Sequence, residues 1–154
     1  MLHPSSLRRL FHRIAIWQRG AERAPNKPLV LLYALRRLQR GDLGPFRFAA
    51  IEVDLRGLLQ RYGPPRATLH PEYPFLRLTH DGIWQLIIDG GGTSNVVSQQ
   101  PSLQELRERF SAGFTSEVVA VLISRPRIIF FIALDLLQRH FPGSLHEEIL
   151  DAGD

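Results

Sequence analysis

The side chains that could perform catalysis are few in this 154-residue sequence, and their spacing does not fit the usual active sites. Cysteine is absent, which excludes thiolate nucleophiles, thiolate metal sites and disulfides. The six histidines form no HExxH pattern, and a Pro-Gly break separates His140 from His146, so these two do not share a helical face. We therefore expect neither a metal nor another cofactor.

Lysine, serine and glycine motifs do not indicate an enzyme either. Lys27 is the only lysine and precedes nearly every carboxylate, whereas a nuclease of the Asp…Glu-x-Lys type needs a lysine after its acidic residues. No G-x-S-x-G elbow and no phosphate-binding GKS/T motif occurs. The glycine run at 90–92 lacks the strand-to-helix setting of a nucleotide loop. The sequence predicts a binding protein with no catalytic residue.

Positive charge is concentrated in the first half of the chain. Residues 1–70 contain thirteen Arg or Lys against four Asp or Glu, and residues 71–154 contain six against eleven. Nearly all the cations are arginines, whose planar fork suits phosphate groups and base edges. Nucleic acid is therefore a candidate partner, and solvated helix faces are the alternative explanation.

Length and apolar content predict one domain over residues 1–154, because 44% hydrophobic residues are enough to bury a core. No apolar run reaches the length of a membrane span, and the first residues lack the apolar stretch of a signal peptide. We expect a cytoplasmic protein without a membrane partner.

Helical periodicity and capping residues predict a mainly α domain. Gly20 ends the first helix, a basic loop covers 19–27, and Pro28 begins the second helix. The seven helices are expected at about 5–19, 28–40, 47–62, 102–110, 115–124, 125–140 and 145–150.

The stretch HPEYPF, at 70–75, looks like a rigid corner rather than a helix or a central strand, because two prolines bracket Tyr73. The following residues, FLRLTHDGIWQLII, predict a β-hairpin that turns at Asp81-Gly82. A mobile loop is expected at 89–95. The fold class is therefore mainly α (α+β), a compact helical domain with one β-hairpin. Three helices followed by a hairpin also give a winged-helix-like order, by analogy alone.

Four cations lie in or beside the predicted loops, where they could reach phosphate without disturbing core packing. They are Arg19, Arg23, Lys27 and Arg66.

Several motifs together are similar to the sulfur-binding domain of type IV restriction endonucleases that recognise phosphorothioate-modified DNA. The motifs are APNKPLVLLYALRRLQRG, HPEYPFLRL, DGIWQL, a SAGF-type loop before EVV, and HFPGSLHEEIL, and the resemblance runs from about Arg8 to Leu150. In that family such a domain usually precedes an HNH nuclease domain, which is absent from this chain. The resemblance implies a reader of modified double-stranded DNA.

The resemblance also assigns roles to individual residues. The Tyr-Pro pair that forms the family's sulfur pocket is Tyr73-Pro74 here. Members often carry histidine where this chain has Asn26, a neutral amide that can still donate to phosphate. The residues implied to hold the DNA backbone are Arg19, Asn26 and Lys27, and those implied to contact base edges are Ser111, Ala112 and Gly113.

Two other functions remain open on the residues alone. One is a winged-helix-like regulator that reads unmodified DNA, and the other is a protein-interaction module. Tyr73 and Pro74 could also simply pack against the hairpin. We expect Trp84 and Phe114 in the core, and Arg77 pointing outward from a strand.

Overall fold

A computed structural model describes residues 2–14, 17–19, 22–24, 26–65, 67–91, 93–94 and 100–151. The α-helices are α1 (Pro4–His12), α2 (Asn26–Gln39), α3 (Phe48–Tyr62), α4 (Glu72–Arg77), α5 (Leu103–Arg109), α6 (Ser116–Ser124), α7 (Pro126–His140) and α8 (His146–Asp151). The strands are β1 (Trp17–Arg19), β2 (Glu22–Ala24), β3 (Phe46–Arg47), β4 (Trp84–Ile88), β5 (Thr93–Ser94) and β6 (Phe110–Phe114). Short 3-10 helices cover Leu78–Asp81 and Gly143–Leu145.

The strands within the described ranges form an antiparallel pair, β1-β2, and a four-stranded antiparallel sheet in the order β3-β6-β4-β5. Strand β6 lies between β3 and β4, and the register places Trp84 opposite Phe114 and Leu86 opposite Ala112. The prediction of a mainly α domain with a small β component is confirmed. None of the helices in the described part of the chain is long and apolar enough to cross a membrane.

Aromatic rings form the centre of the core between the sheet and the helices. Trp84 makes edge-on contacts with Phe75 at 6.4 Å and with Phe114 at 5.4 Å between ring centroids. Phe75 in turn contacts Phe48 at 4.9 Å. The Trp84 indole Nε1 donates a 3.0 Å hydrogen bond to the carbonyl oxygen of Phe75, so its polar atom is satisfied inside the core. The core positions expected for Trp84 and Phe114 are confirmed.

The predicted hairpin over 75–88 is wrong in its first half, because Phe75 to Asp81 is helical. Pro71 precedes α4 and Pro74 is its third residue, and in the first turn of a helix the missing N–H of proline costs nothing. HPEYPF therefore begins a helix. Gly82, with φ of +80°, follows the 3-10 helix in the left-handed conformation instead of forming a hairpin turn.

Other boundaries also differ from the sequence expectations. The first helix ends at His12, before the predicted Gly20. The basic loop at 19–27 instead contains parts of β1 and β2 and the first two residues of α2, so Pro28 is the third helical residue. The SAGF segment is the end of β6 rather than a loop. Within the expected loop at 89–95, residues 89–91 form a turn and β5 follows.

The caps of the later helices agree with the sequence. The side chains of Ser102 and Thr115 accept hydrogen bonds from the backbone N–H groups of Glu105 and Val118. Helix α3 and the long helix α7 occupy nearly their predicted ranges.

Candidate nucleic-acid interface

Helix α4 presents Tyr73 at the protein surface because the residues after it are anchored in the core. Phe75 has 0% and Leu76 7% of its surface exposed, whereas Tyr73 is half-buried. Pro74 is itself buried, so the Tyr73-Pro74 pair offers mainly the tyrosine ring to a ligand. The sulfur-pocket role of the pair remains a prediction.

Two nitrogen-containing side chains flank the Tyr73 ring. The His70 imidazole stacks on it with centroids 4.3 Å apart and planes 11° apart. The Arg77 guanidinium carbon lies 4.6 Å from the same centroid. His70 Nδ1 is 3.0 Å from Oε1 of the buried Glu72, which fixes the imidazole against the tyrosine. The tyrosine ring is therefore held in one orientation before any ligand arrives.

Lys27 lies near this segment, in an ion pair. Its Nζ donates a 2.7 Å hydrogen bond to Asp81 Oδ2, and the side chains are only 15% and 6% exposed, respectively. The contact joins the start of α2 to the 3-10 helix that follows α4. A paired lysine has little charge left for DNA, so its phosphate role remains a prediction that this geometry weakens.

Asn26 lies beside the turn that follows α3. A Cβ at Gly63 would come within 3.1 Å of Asn26 Oδ1, so the two positions are in close contact. Asn26 Oδ1 is buried and has no hydrogen-bond partner within the described ranges. Arg66, three residues after Gly63, lies outside the described residues.

Arg19 and Arg23 are placed only through their backbones. They belong to β1 and β2, where Arg19 is opposite Glu22 and Arg23 is opposite Gln18. Their side chains lie outside the described part of the structure. The pair of strands directly precedes Asn26, so it belongs to the same region of the chain.

Ser111, Ala112 and Gly113 lie in the interior of the sheet. Strand β6 is hydrogen-bonded on both sides at Ser111 and Ala112, which are 8% and 0% exposed. A Cβ at Gly113 would meet Pro45 Cα at 3.1 Å. The base-contact role of these residues remains a prediction, but their side chains have almost no surface to offer a base edge in this conformation.

A salt-bridge network holds the segment before HPEYPF. Both Glu52 oxygens accept hydrogen bonds from Arg107, at 2.8 and 2.7 Å. Arg56 reaches Glu52 Oε2 at 3.3 Å and also donates to the carbonyl oxygen of Leu69 at 3.3 Å. The guanidinium groups, chiefly that of Arg107, hold the pKa of Glu52 below its usual value of 4.5.

We expect Glu52→Gln to lower the melting temperature near neutral pH, because a charge-assisted network is weakened. The pKa of Glu52 is lower in the folded than in the unfolded state. Its stabilisation is thus present above the unfolded value and lost as the pH falls through the folded-state pKa. The difference in melting temperature between wild type and variant should therefore disappear at acidic pH. Circular-dichroism melting over a pH series measures this, with exposed Glu117→Gln as the control. A melting-temperature difference that does not change with pH would contradict the stabilising role of the Glu52 carboxylate.

No group of three or more His, Cys, Asp or Glu side chains in the described ranges could hold a metal ion. The surroundings of Tyr73 are instead aromatic and cationic.

Comparison with known families gives a match over nearly the whole chain. The family model of the ScoMcrA-like DNA sulfur-binding domain matches residues 4–153. The chain belongs to this family. It is therefore a DNA sulfur-binding domain, which is a DNA-binding rather than a catalytic unit, and the resemblance seen in the sequence motifs is confirmed.

Solved structures share the fold of this sulfur-binding domain. The sulfur-binding domain of ScoMcrA complexed with phosphorothioated DNA gives a TM-score of 0.77 at 21% identity, covering 96% of this chain and 98% of that one. The sulfur-binding and SRA domains of ScoMcrA in a similar complex give 0.77 at 22% identity, covering 94% of this chain and 49% of that one. The type IV phosphorothioation-dependent restriction endonuclease ScoMcrA gives 0.69 at 21% identity, covering 92% and 27%, respectively. The chain thus spans about half of the two-domain structure and about a quarter of the enzyme. Comparison with curated proteins gives no significant match.

Sequence reasoning missed two neighbours of the tyrosine in this sulfur-binding domain. Arg77 was expected on a strand, but on α4 it follows Tyr73 by one helical turn and covers the ring. His70 was not singled out. Had HPEYPFLR been recognised as the start of a helix, the four-residue spacing of Tyr73 and Arg77 would have predicted their contact.

The Lys27–Asp81 pair should contribute to the stability of the sulfur-binding domain. Lys27→Met leaves a nearly buried carboxylate without its cation, which is expected to cost about 1–3 kcal/mol of unfolding free energy. Lys27→Arg keeps the charge and should cost less. Urea denaturation of both variants measures the difference, and equal stability of Lys27→Met and wild type would show that the pair is not stabilising.

Proposed function

We propose that this sulfur-binding domain reads phosphorothioate-modified double-stranded DNA, with the non-bridging sulfur against Tyr73-Pro74. The observation that carries the proposal is the pre-oriented tyrosine ring beside an arginine, in a family defined by sulfur binding. The related ScoMcrA domain is complexed with phosphorothioated DNA.

The chemistry of sulfur suits an aromatic contact. Replacing one non-bridging oxygen by sulfur keeps the negative charge of the linkage and makes one corner larger, more polarisable and less hydrated. A phosphate oxygen against a ring loses hydrogen bonds to water and gains none. A sulfur loses less and gains dispersion contacts, and sulfur–aromatic contacts are favourable in proteins. The sulfur-containing linkage should therefore bind more favourably than the unmodified linkage by about 1–3 kcal/mol, because one or two apolar-sized groups are buried.

Cations must supply most of the affinity. The DNA backbone carries a dense negative charge, and each neutralised phosphate releases counterions. Arg19, Arg23, Asn26, Lys27 and Arg66 are the proposed backbone-binding residues. Support comes from their places in the chain: Arg19 and Arg23 lie on the two strands that directly precede Asn26 and Lys27, and Asn26 lies beside Gly63, three residues before Arg66. Base readout by Ser111, Ala112 and Gly113 would require a local rearrangement of β6.

The relatives support a proposal about the wider role of this domain. We propose one reader domain over residues 1–154 that serves a modification-dependent restriction system and acts with an HNH nuclease domain in the cytoplasm. The related ScoMcrA is a type IV phosphorothioation-dependent restriction endonuclease. No step of strand cleavage is assigned to the residues of this chain.

Two matched duplexes that differ in one sulfur test the function. Fluorescence anisotropy at several salt concentrations should show affinity for both duplexes falling steeply with salt, while the ratio between them changes little. Equal affinity for the two duplexes would contradict the proposal and favour a regulator that reads unmodified DNA. Failure to bind either duplex at low salt would contradict both and leave a protein-interaction module.

A further inference from the structure

Arg77 is positioned as a cation for the same linkage that Tyr73 would contact. Its guanidinium carbon is 4.6 Å from the Tyr73 centroid, and the two side chains are four residues apart on one face of α4. Arg77 is exposed to solvent, so its charge is accessible to a ligand at the ring. Anything that approaches this face of Tyr73 must meet the guanidinium.

The charged side chains of Lys27 and Glu72 already have partners and do not compete with Arg77 for a ligand at Tyr73. The expected cation, Lys27, is paired with Asp81 at 2.7 Å and is largely buried. Glu72, five residues before Arg77, is buried and lies against His70. Within the described ranges, the guanidinium of Arg77 has no carboxylate partner. Its full positive charge is thus available beside the tyrosine.

We propose that Arg77 moves from the Tyr73 ring to the anionic oxygen of the modified linkage when DNA binds, which also exposes the ring to the sulfur. This inference rests on the proposed function. The exchange is favourable because an exposed cation–π contact is weak compared with charge-assisted hydrogen bonds from arginine to a phosphate group. Arg77 is thereby a phosphate-binding residue of the recognition site and the residue that covers it in the free protein.

The guanidinium group of Arg77 requires a hydrogen-bond acceptor, and the ligand must provide it as an anionic oxygen. A phosphorothioate presents one sulfur and one non-bridging oxygen, and Arg77 would take the oxygen while Tyr73 takes the sulfur. An unmodified linkage offers an oxygen to Arg77 equally well. Arg77 therefore adds affinity for both kinds of duplex, and Tyr73 supplies the discrimination.

Arg77→Met tests the proposal against a matched control, Arg127→Met. Arg127 is exposed on α7, which packs on α1, α2 and α6, and it has no ion-pair partner within the described ranges. Arg77→Met should bind the sulfur-containing duplex about tenfold more weakly, with a salt slope reduced by about one. The modified-to-unmodified ratio should stay within about threefold of wild type, and Arg127→Met should stay within about twofold in affinity.

The outcomes separate this inference from the proposed function. A wild-type protein that binds both duplexes equally contradicts the function itself. A wild-type protein that prefers sulfur, together with an Arg77→Met variant of unchanged affinity and salt slope, overturns only the role of Arg77, as does an equal loss in Arg127→Met. NMR gives a second readout, since the Arg77 side-chain protons should show a ring-current shift in the free protein that is absent in Tyr73→Ala and disappears on binding. A shift that persists in the complex would also overturn the proposal.

Discussion

Tyr73→Ala is expected to remove most of the preference for the sulfur-containing duplex while leaving binding to the unmodified duplex nearly intact. The ring is the main exposed part of the Tyr73-Pro74 pair, so its loss removes the surface against which sulfur would make dispersion contacts. The expected loss is about 1–3 kcal/mol, which is roughly a 5- to 150-fold change in the affinity ratio. Competition binding with the two duplexes measures it.

Tyr73→Phe is the matched control for this prediction. Phenylalanine keeps the ring, the stacking on His70 and the contact with Arg77, and removes only the hydroxyl. The preference should therefore remain close to wild type. An unchanged preference in Tyr73→Ala would show that the sulfur is read elsewhere in the domain.

Phe75→Ala is expected to produce the largest loss of stability, about 3–5 kcal/mol. Phe75 has 0% exposure and lies between Phe48 and Trp84, so alanine leaves a cavity at the centre of the core. Helix α4 also loses its main anchor, and DNA binding should weaken when the domain is marginally stable. Chemical denaturation measures the free energy of unfolding.

An exposed aromatic residue provides the comparison for Phe75. Phe130 on α7 is 60% exposed, and Phe130→Ala should change the free energy of unfolding by no more than about 0.5 kcal/mol. Similar losses in the two variants would contradict the placement of Phe75 in the core.

Much of the helical framework could be predicted because its signals are local. Ser102 and Thr115 are capping residues, and α3 and α7 carry apolar residues at helical spacing. The segment after HPEYPF could not be assigned correctly, because short apolar runs fit helix and strand alike. Tertiary contacts decide it, among them the hydrogen bond from Trp84 to the Phe75 carbonyl.

The candidate site was predictable only in part. The resemblance drew attention to Tyr73-Pro74, but the contacts of the tyrosine with His70 and Arg77 depend on a helix that the prolines seemed to forbid. Lys27 looked available for phosphate because Asp81, its partner, is 54 residues away in the sequence. Long-range pairs of this kind leave no local pattern in the sequence. The position of a cation in a predicted loop therefore does not show that its charge is free to bind phosphate.

In the proposed complex, one atom of the linkage is read by contact with Tyr73. The most direct test compares two duplexes that carry a single phosphorothioate in opposite configurations at phosphorus, because they have identical charge and composition and differ only in where the sulfur points. We predict that one diastereomer binds at least several-fold more tightly and that this difference is lost in Tyr73→Ala. Equal affinity of the wild-type domain for both diastereomers would contradict it.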